Sequence, residues 1–210
     1  MGDLDAAAIA RITAFGTSVL PRVSPETVDG HSFDHFIGRT QVDELLRRGE
    51  RRIVCATLDD PRVGPFAAWR VEGATAALME RGMAPPVVVP VSLNLDAATA
   101  ALAPLISDAQ PLGVCCYNDD VAIAVVGVAL RLGATVPDQV AVVGVDRTDV
   151  GQLTVPRLST VAIDIPVIEG DLARELRSLV VGRYDGEHST EIRPVPDQRS
   201  AIKLVRGETS

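Results

Sequence analysis

The stretch from Gly113 to Asp146, GVCCYNDDVAIAVVGVALRLGATVPDQVAVVGVD, decides the fold of this chain. It has two short apolar runs, at 114–116 and 140–145, and a longer apolar segment at 121–132 that ends at Gly133. The short runs are too brief for helices, whereas the middle segment is long enough and has its own start and stop residues. The stretch therefore predicts a strand, a helix and a second strand parallel to the first.

Polar residues follow both of these strands directly. Asn118 comes after the first run and Asp146 after the second. A buried parallel strand is apolar on both faces, so the polar residue that ends it marks a boundary of the sheet. The carboxyl ends of parallel strands form the edge at which open α/β sheets bind their ligands. We therefore expect Asn118 and Asp146 to lie on a binding edge.

The same alternation extends toward the N-terminus as far as Arg51. The pattern predicts strands at 53–58 and 87–91 and helices at 66–81 and 96–107. Such alternation is typical of a parallel sheet with helices on both faces, so the predicted fold class is α/β. Further elements are predicted outside this region: helices at 3–15, 36–48 and 166–181, and strands at 18–23, 159–163 and 202–205.

The composition excludes several classes of protein. The chain has 210 residues and a net charge of -8, which is not the charge of an autonomous nucleic-acid binder. No apolar run approaches the ~20 residues that a membrane span needs, and the N-terminus does not resemble a secretory signal. We therefore expect a cytoplasmic protein that has no contact with a membrane. The three cysteines are expected to be small core residues, because no CxxC or Cys/His ligand spacing predicts a metal or redox site.

Enzyme signatures do not occur in the sequence. It contains no phosphate-binding GxxxxGK[ST] loop, no GxGxxG after a strand, no GxSxG elbow and no HExxH. The paired carboxylates Asp59-Asp60 and Asp119-Asp120 are adjacent, so they cannot lie on opposite sides of a scissile bond. We predict neither catalytic residues, nor a metal, nor a cofactor.

Four polar residues are expected to meet at one rim of the sheet. Arg70 follows the first strand of the regular region, Ser92 the second, Asn118 the third and Asp146 the fourth. Guanidinium, amide and carboxylate groups together offer donors and acceptors to a ligand that is rich in hydroxyls, such as a sugar or a nucleoside.

Each of these side chains also has a purely structural interpretation. Asn118 or Asp119 is a good N-cap for the helix that follows. Asp146 is suited to an Asx turn, and Arg70 to a solvated helix surface. Trp69 is suited either to the core or to stacking against the apolar face of a sugar.

Five segments resemble the effector-binding core of the lactose-repressor/galactose-repressor family of transcription factors. The segments YNDDVAIAVVGVAL (117–130), GATVPDQVAVVGVD (133–146) and VPRLSTV (155–161) are similar to consecutive motifs of that family. RRIVCATLDDPRVGPFAAWRVEGATAALMERG (51–82), with Arg70 and Gly73 at an arginine-x-x-glycine, is similar to the preceding unit. The ending LVRGETS (204–210) resembles the last strand of the family.

The resemblance implies a periplasmic-binding-protein-like fold of two parallel-sheet lobes, with a small effector in the cleft. On this basis we expect residues 1–50 and 159–188 in a partial N-terminal lobe, and 51–157 and 189–210 in the C-terminal lobe. Arg70, Asn118 and Asp146 match positions that hydrogen-bond the effector, and Ser92 and Phe36 lie near other effector-facing positions.

The sequence also departs from the family pattern. Arg147 stands where a second acidic residue is usual, Glu50 replaces a histidine, and His35 replaces an asparagine. The first residues resemble the third helix of the N-terminal lobe, so we expect that lobe to be incomplete, by truncation or with compensation by association. DNA would be bound only through a helix-turn-helix that this chain does not show.

The function implied by the resemblance is allosteric control of transcription. An effector, a sugar or a nucleoside-like molecule, would shift a homodimer between DNA-competent and incompetent states. Two alternatives are a solute-binding component of a sugar transporter and a sugar-modifying enzyme.

Overall fold

The structure of the chain is a computed structural model, and it describes residues 33–49, 52–108, 110–163 and 201–210, with Arg11 and Ala14. The expected helix at 166–181, the strand at 18–23 and, apart from those two residues, the helix at 3–15 lie outside the described residues. None of the helices in the described ranges is long and apolar enough to cross a membrane. The same ranges contain no group of three or more His, Cys, Asp or Glu side chains suited to a metal ion.

Helices and strands alternate along the described chain as the sequence predicts. The helices are α1 (Phe33–Arg48), α2 (Gly64–Met79), α3 (Leu95–Ile106), α4 (Asp119–Arg131) and the short α5 (Asp149–Leu153). The strands are β1 (Ile53–Leu58), β2 (Val87–Val91), β3 (Leu112–Cys116), β4 (Val140–Val145), β5 (Ser159–Ile163) and β6 (Ile202–Val205). The sequence did not predict α5 or the 3₁₀ turn Pro61–Val63, because both lie in segments with loop composition.

The six strands form one sheet in the order β2-β1-β3-β4-β5-β6. The first five are parallel, and β6 alone runs antiparallel to its neighbour β5. The edge position of β2 explains how Pro90 fits in a strand, because an edge strand can spare the amide that proline lacks. Along the chain, the sheet first extends from β1 to β2 in one direction, and β3, β4 and β5 then extend it in the other direction. The strand order therefore reverses between β1 and β3.

Helix α4 is the centre of the core, as its almost wholly apolar sequence predicts. Val121, Ala122, Val125, Val128 and Ala129 are fully buried and pack in the main apolar cluster with β1, β3 and β4. The helix stops two residues before Gly133, whose positive φ of 77° allows Ala134 N to donate to Ala129 O over 2.9 Å.

The three cysteines are buried in the core, which confirms the prediction for their packing. Cys55 and Cys115 are register partners on β1 and β3. A hydrogen bond to Cys55, followed by burial, raises the pKa of Cys115, and burial raises the pKa of Cys116. Raised pKa values keep these thiols protonated, so they behave as small apolar side chains.

Contacts within the chain define two compact units. The unit that contains the sheet spans residues 34–163 and 202–210, and the other unit spans 1–33 and 164–201. Most of α1 therefore belongs with the sheet, where buried Gln41 donates to Cys116 O (2.8 Å) and Val143 O (2.9 Å). Strand β5 belongs there too, because it pairs with β4. The assignment of the units to N-terminal and C-terminal lobes stays a prediction.

Candidate functional site

The strand order places a crevice between the carboxyl ends of β1 and β3. The connection from β1 leads to β2 on one side, whereas the next connection returns to β3 on the other side. Open α/β sheets bind ligands where the order reverses in this way. A small pocket lies at this point; it is lined by Gln41, Cys55, Ala56, Thr57, Ala67, Arg70, Val71, Cys115, Cys116 and Tyr117. Its volume is about 10 Å³, close to the minimum for one water molecule, so a sugar would have to lie above the strand ends.

Arg70 is held in the crevice by contacts with two other elements. Its Nε donates to Asp34 Oδ1 on α1 over 2.6 Å, and its Nη1 donates to the carbonyl oxygen of Tyr117, just after β3. The guanidinium carbon lies 4.5 Å from the centroid of the Tyr117 ring, a cation–π contact. The Arg70 side chain is only 13% exposed, so the interpretation as a solvated surface residue is wrong.

The position of Arg70 depends on a close crossing of α1 and α2. A Cβ atom on Gly38 would lie 2.0 Å from the carbonyl oxygen of Arg70, and one on Gly73 would lie 1.8 Å from that of His35. Only glycine allows backbones to approach this closely. The crossing brings Asp34, at the start of α1, within reach of Arg70.

Asn118 caps helix α4, one of the two roles expected for it. Its Oδ1 accepts a hydrogen bond from Val121 N over 3.0 Å. The residue is half-buried at the carboxyl end of β3. Capping occupies the amide oxygen, and the amide nitrogen remains the group that can face a ligand.

Asp119 is not the cap but a buried hydrogen-bond acceptor. It accepts from Thr148 N (2.7 Å), Thr148 Oγ1 (3.1 Å) and Thr160 Oγ1 (2.6 Å). Its carboxylate thus ties α4 to β5 and to the loop after β4. Gly144 makes room for it, since a Cβ atom there would lie 2.3 Å from Asp119 Oδ1.

Asp146 begins the loop that Asp119 supports. Both Asp146 and Arg147 have positive φ angles, 99° and 52°, which are unusual for residues with side chains. Asp146 N donates to Val161 O over 2.9 Å, and the residue is exposed. Thr148, rather than Asp146, caps the following helix by accepting from Gly151 N.

The pKa of Asp146 is raised above the ordinary range of an aspartate. Restricted access of water to the carboxylate is the main cause, although the residue as a whole is exposed. Repulsion from the carboxylates of Asp119, Asp120 and Asp34 raises the pKa further, whereas Arg70 lowers it. The charge of Arg70 therefore acts on the carboxylate of Asp146.

Ser92 and Phe36 are less directly connected to this environment. Ser92 follows β2, two strands from Asn118 and so about 10 Å away, and its Oγ accepts from Asn94 N over 3.3 Å. Phe36 is 8% exposed on α1, in edge-to-face contact with His35. Trp69 is half-buried and packs edge-to-face on Phe66, with 5.9 Å between ring centroids.

Three residues that shape the crevice were missed by sequence reasoning. Asp34 precedes the predicted helix at 36–48, Gln41 is one of several polar residues in that helix, and Asp119 is one of two predicted caps. Gln41 had a usable signal, because it is a polar residue beside Ile37, Val42 and Leu45, which are fully buried.

Comparison with known proteins identifies the fold and its relatives. The profile of the family "Periplasmic binding protein-like domain" matches residues 42–209. The transcriptional repressor CytR of Escherichia coli is 27% identical over 150 residues, 70% of this chain and 42% of the repressor. The transcriptional regulator GntR of Pseudomonas aeruginosa is 33% identical over 155 residues, 70% of this chain and 43% of the regulator. The chain thus spans less than half the length of these two relatives.

A solved structure gives the same result. The complex of the transcriptional regulator CelR with cellobiose matches with a TM-score of 0.70 and 25% identity, covering 98% of this chain and 63% of that one. The predicted α/β fold and the resemblance to lactose-repressor-type regulators are both confirmed. These relatives are transcriptional regulators rather than transport proteins or enzymes, and the chain belongs to the periplasmic binding protein-like domain family.

Proposed function

We propose that this chain is the effector-binding core of a lactose-repressor-type transcriptional regulator, in which a small hydroxyl-rich molecule controls DNA binding. The observation that carries the proposal is the position of Arg70 at the reversal of the strand order, paired with Asp34 and stacked on Tyr117. A mostly buried arginine that is oriented by two elements at this point suits ligand binding better than it suits stability.

In the proposed site, three side chains hydrogen-bond the effector directly. Arg70 donates through Nη2, the nitrogen that its contacts with Asp34 and Tyr117 leave available. Asn118 donates through its amide nitrogen, and Asp146 accepts hydroxyl protons. Ser92 and Phe36 belong to the proposal as outer contacts, because Ser92 lies two strands away and Phe36 is buried.

The proposed control is a shift of population. An effector that binds one conformation of the regulator more tightly than another favours that conformation by its difference in affinity. The regulator acts where the DNA lies, so a cytoplasmic location is part of the same proposal.

Thermal unfolding of the 210-residue chain with a panel of sugars and nucleosides tests the proposal. We expect at least one compound to raise the melting temperature, and Arg70→Ala and Asp146→Ala to abolish that rise. Arg131→Ala and Asp138→Asn are matched controls, because both side chains are exposed and neither is a proposed ligand contact. A rise that survives both site variants contradicts the proposed site.

The proposal includes a homodimer that is formed partly through α5 and the turn that follows it. Val150, Leu153 and Val155 are 64%, 82% and 88% exposed within six residues of sequence. Large apolar side chains that are clustered on a surface favour association. A second copy of the chain is the proposed partner, as in the dimers of the family that the sequence resembles.

A further inference from the structure

The site carries more negative than positive charge. Asp119 and Asp120 open helix α4 directly after β3, and Asp60 and Asp146 follow β1 and β4, the two parallel neighbours of β3 in the sheet. Asp34 on α1 binds Arg70, which also contacts the chain just after β3. Five carboxylates from α1, α4 and the loops after β1 and β4 thus lie at the carboxyl ends of β1, β3 and β4. Ligand binding above these strand ends takes place in a negative field.

The two nearby guanidinium groups are already paired. Arg70 donates to Asp34 and to the Tyr117 carbonyl, so two of its three nitrogens are engaged with the protein. Arg62 contacts both carboxylate oxygens of Asp60, with Nε 2.9 and 3.0 Å away. Five carboxylates against two guanidinium groups leave about three negative charges, or two if exposed Arg147 is counted. A phosphate or carboxylate would find only the remaining N–H groups of Nη1 and Nη2 on Arg70, because Nε is already bonded to Asp34.

We infer that the site selects an uncharged hydroxyl-rich ligand and rejects the phosphorylated or carboxylated form of the same molecule. The inference rests on the proposed function and narrows its ligand class. Hydroxyl groups can donate to the surplus carboxylate oxygens, whereas an anion meets a net surplus of like charges. Discrimination thus comes from repulsion as well as from attraction.

Matched pairs of compounds test the inference. The pairs are ribose and ribose 5-phosphate, glucose and gluconate, and adenosine and adenosine monophosphate. Affinities are measured from the rise in melting temperature at constant ionic strength, because salt screens charge effects. If a pair binds at all, we expect the chain to bind the uncharged compound with an affinity about tenfold or more above that for the charged compound. Equal or tighter binding of the anionic member overturns the inference but leaves the proposed function standing.

A charge-neutralising variant tests the cause. Asp120 is exposed in the first turn of α4 and is not a proposed ligand contact, so Asp120→Asn changes mainly the field. We expect it to reduce the preference for the uncharged member by about two- to threefold, and Asp138→Asn to leave the preference unchanged. An unchanged preference in Asp120→Asn overturns the electrostatic cause.

Inorganic phosphate is a further probe that does not require the effector to be known. At equal ionic strength, phosphate and sodium chloride should give the same melting temperature. A saturable rise with phosphate that is lost in Arg70→Lys overturns the inference, because it identifies an anion site. If none of the compounds, phosphate included, raises the melting temperature, the proposed function itself is contradicted and the inference fails with it.

Discussion

Asp119 on α4 and Thr160 on β5 share a buried hydrogen bond of 2.6 Å. The same carboxylate accepts two bonds from Thr148, so Asp119→Ala leaves three buried or half-buried donors without their acceptor. Loss of this group is expected to reduce the free energy of unfolding by about 2 to 4 kcal/mol, measured by urea denaturation.

The neighbouring carboxylate supplies the control for this prediction. Asp120 is exposed, and Asp120→Ala should change the free energy of unfolding by no more than about 0.5 kcal/mol. Equal losses in the two variants would mean that Asp119 acts only through its place in the first helical turn.

Because α1 and α2 cross closely at Gly38, we expect the substitution of glycine by alanine to have opposite effects there and at Gly127 in α4. In Gly38→Ala the new Cβ would collide with the Arg70 carbonyl oxygen, so the helices must separate. In Gly127→Ala no atom lies within 4 Å of the new Cβ. We expect Gly38→Ala to lose about 2 kcal/mol or more, and Gly127→Ala to gain up to about 1 kcal/mol from helix propensity.

The crossing also connects packing with the site. Since Gly38 contacts the backbone of Arg70, Gly38→Ala should weaken ligand-induced stabilisation as well, whereas Gly127→Ala should leave it unchanged. Chemical denaturation measures the first effect and the ligand melting assay the second. A stabilised Gly38→Ala variant would contradict the close crossing.

The regular part of the fold could be predicted from the sequence because its signals are local. A few neighbouring residues are enough to recognise the apolar runs at 53–58 and 140–145 and the helix stop at Gly133. In the structure, two strands and the end of a helix lie where these signals predict them. The antiparallel pairing of β6 and the membership of α1 in the sheet unit depend on contacts between distant residues, which periodicity does not report.

The polar residues that follow the strands could be predicted from the sequence, but their contacts could not. Two polar residues in succession, Asn118 and Asp119, precede α4, and either residue type can cap a helix. Only the tertiary structure decides, because Thr148 and Thr160 come to Asp119 from 29 and 41 residues away. The glycine at 144 that admits the carboxylate has no separate signature in an apolar strand.

Glu44 is expected to make stability depend on pH in the acid range. Its side chain is 1% exposed and binds Arg47 (2.7 Å) and Arg206 (3.0 Å). The hydrogen bond from Arg47, together with that from Arg206, lowers its pKa to about 2. A pKa that is lowered on folding contributes stability above the ordinary value of 4.5, and this contribution is lost as the pH falls toward 2.

Substitution of Glu44 isolates this contribution. We expect Glu44→Gln to cost about 1 to 3 kcal/mol at neutral pH and progressively less as the pH falls through the acid range. Urea denaturation at a series of pH values measures the difference. Glu72→Gln is the control, because that glutamate is exposed on α2. A cost that stays constant down to about pH 2 would exclude the linkage.

Association through α5 and the turn that follows it is expected to depend on the apolar side chains there. The double variant Leu153→Asp and Val155→Asp places charges where an interface would be dry, so the dimer should dissociate. Sedimentation velocity should then give the mass of one chain. Met79→Asp is the control, since Met79 is 62% exposed on α2. Loss of the dimer in the control, or its persistence in the double variant, contradicts this interface.

We expect the ionised carboxylate of Asp146, a proposed ligand contact, to lower the free energy of unfolding. Because its pKa is raised on folding, the folded chain binds the proton more tightly than the unfolded chain. Ionisation at neutral pH therefore costs folding free energy, and the cost disappears as the pH falls below the ordinary aspartate range of about 4. Asp146→Asn removes that cost, so it should be more stable than the unmodified chain at neutral pH. The exposed position limits the gain to no more than about 0.5 kcal/mol.

Melting curves of Asp146→Asn between about pH 3 and pH 8 measure this difference, with Asp138→Asn as the exposed control. The gain should vanish at the acid end, where the native carboxyl is already neutral. In the ligand assay the same variant should lose binding, since the amide is a weaker acceptor for hydroxyl protons than the carboxylate. Greater stability with weaker binding is the combination expected of a residue retained for function. A variant that is less stable at neutral pH would instead assign Asp146 a structural role.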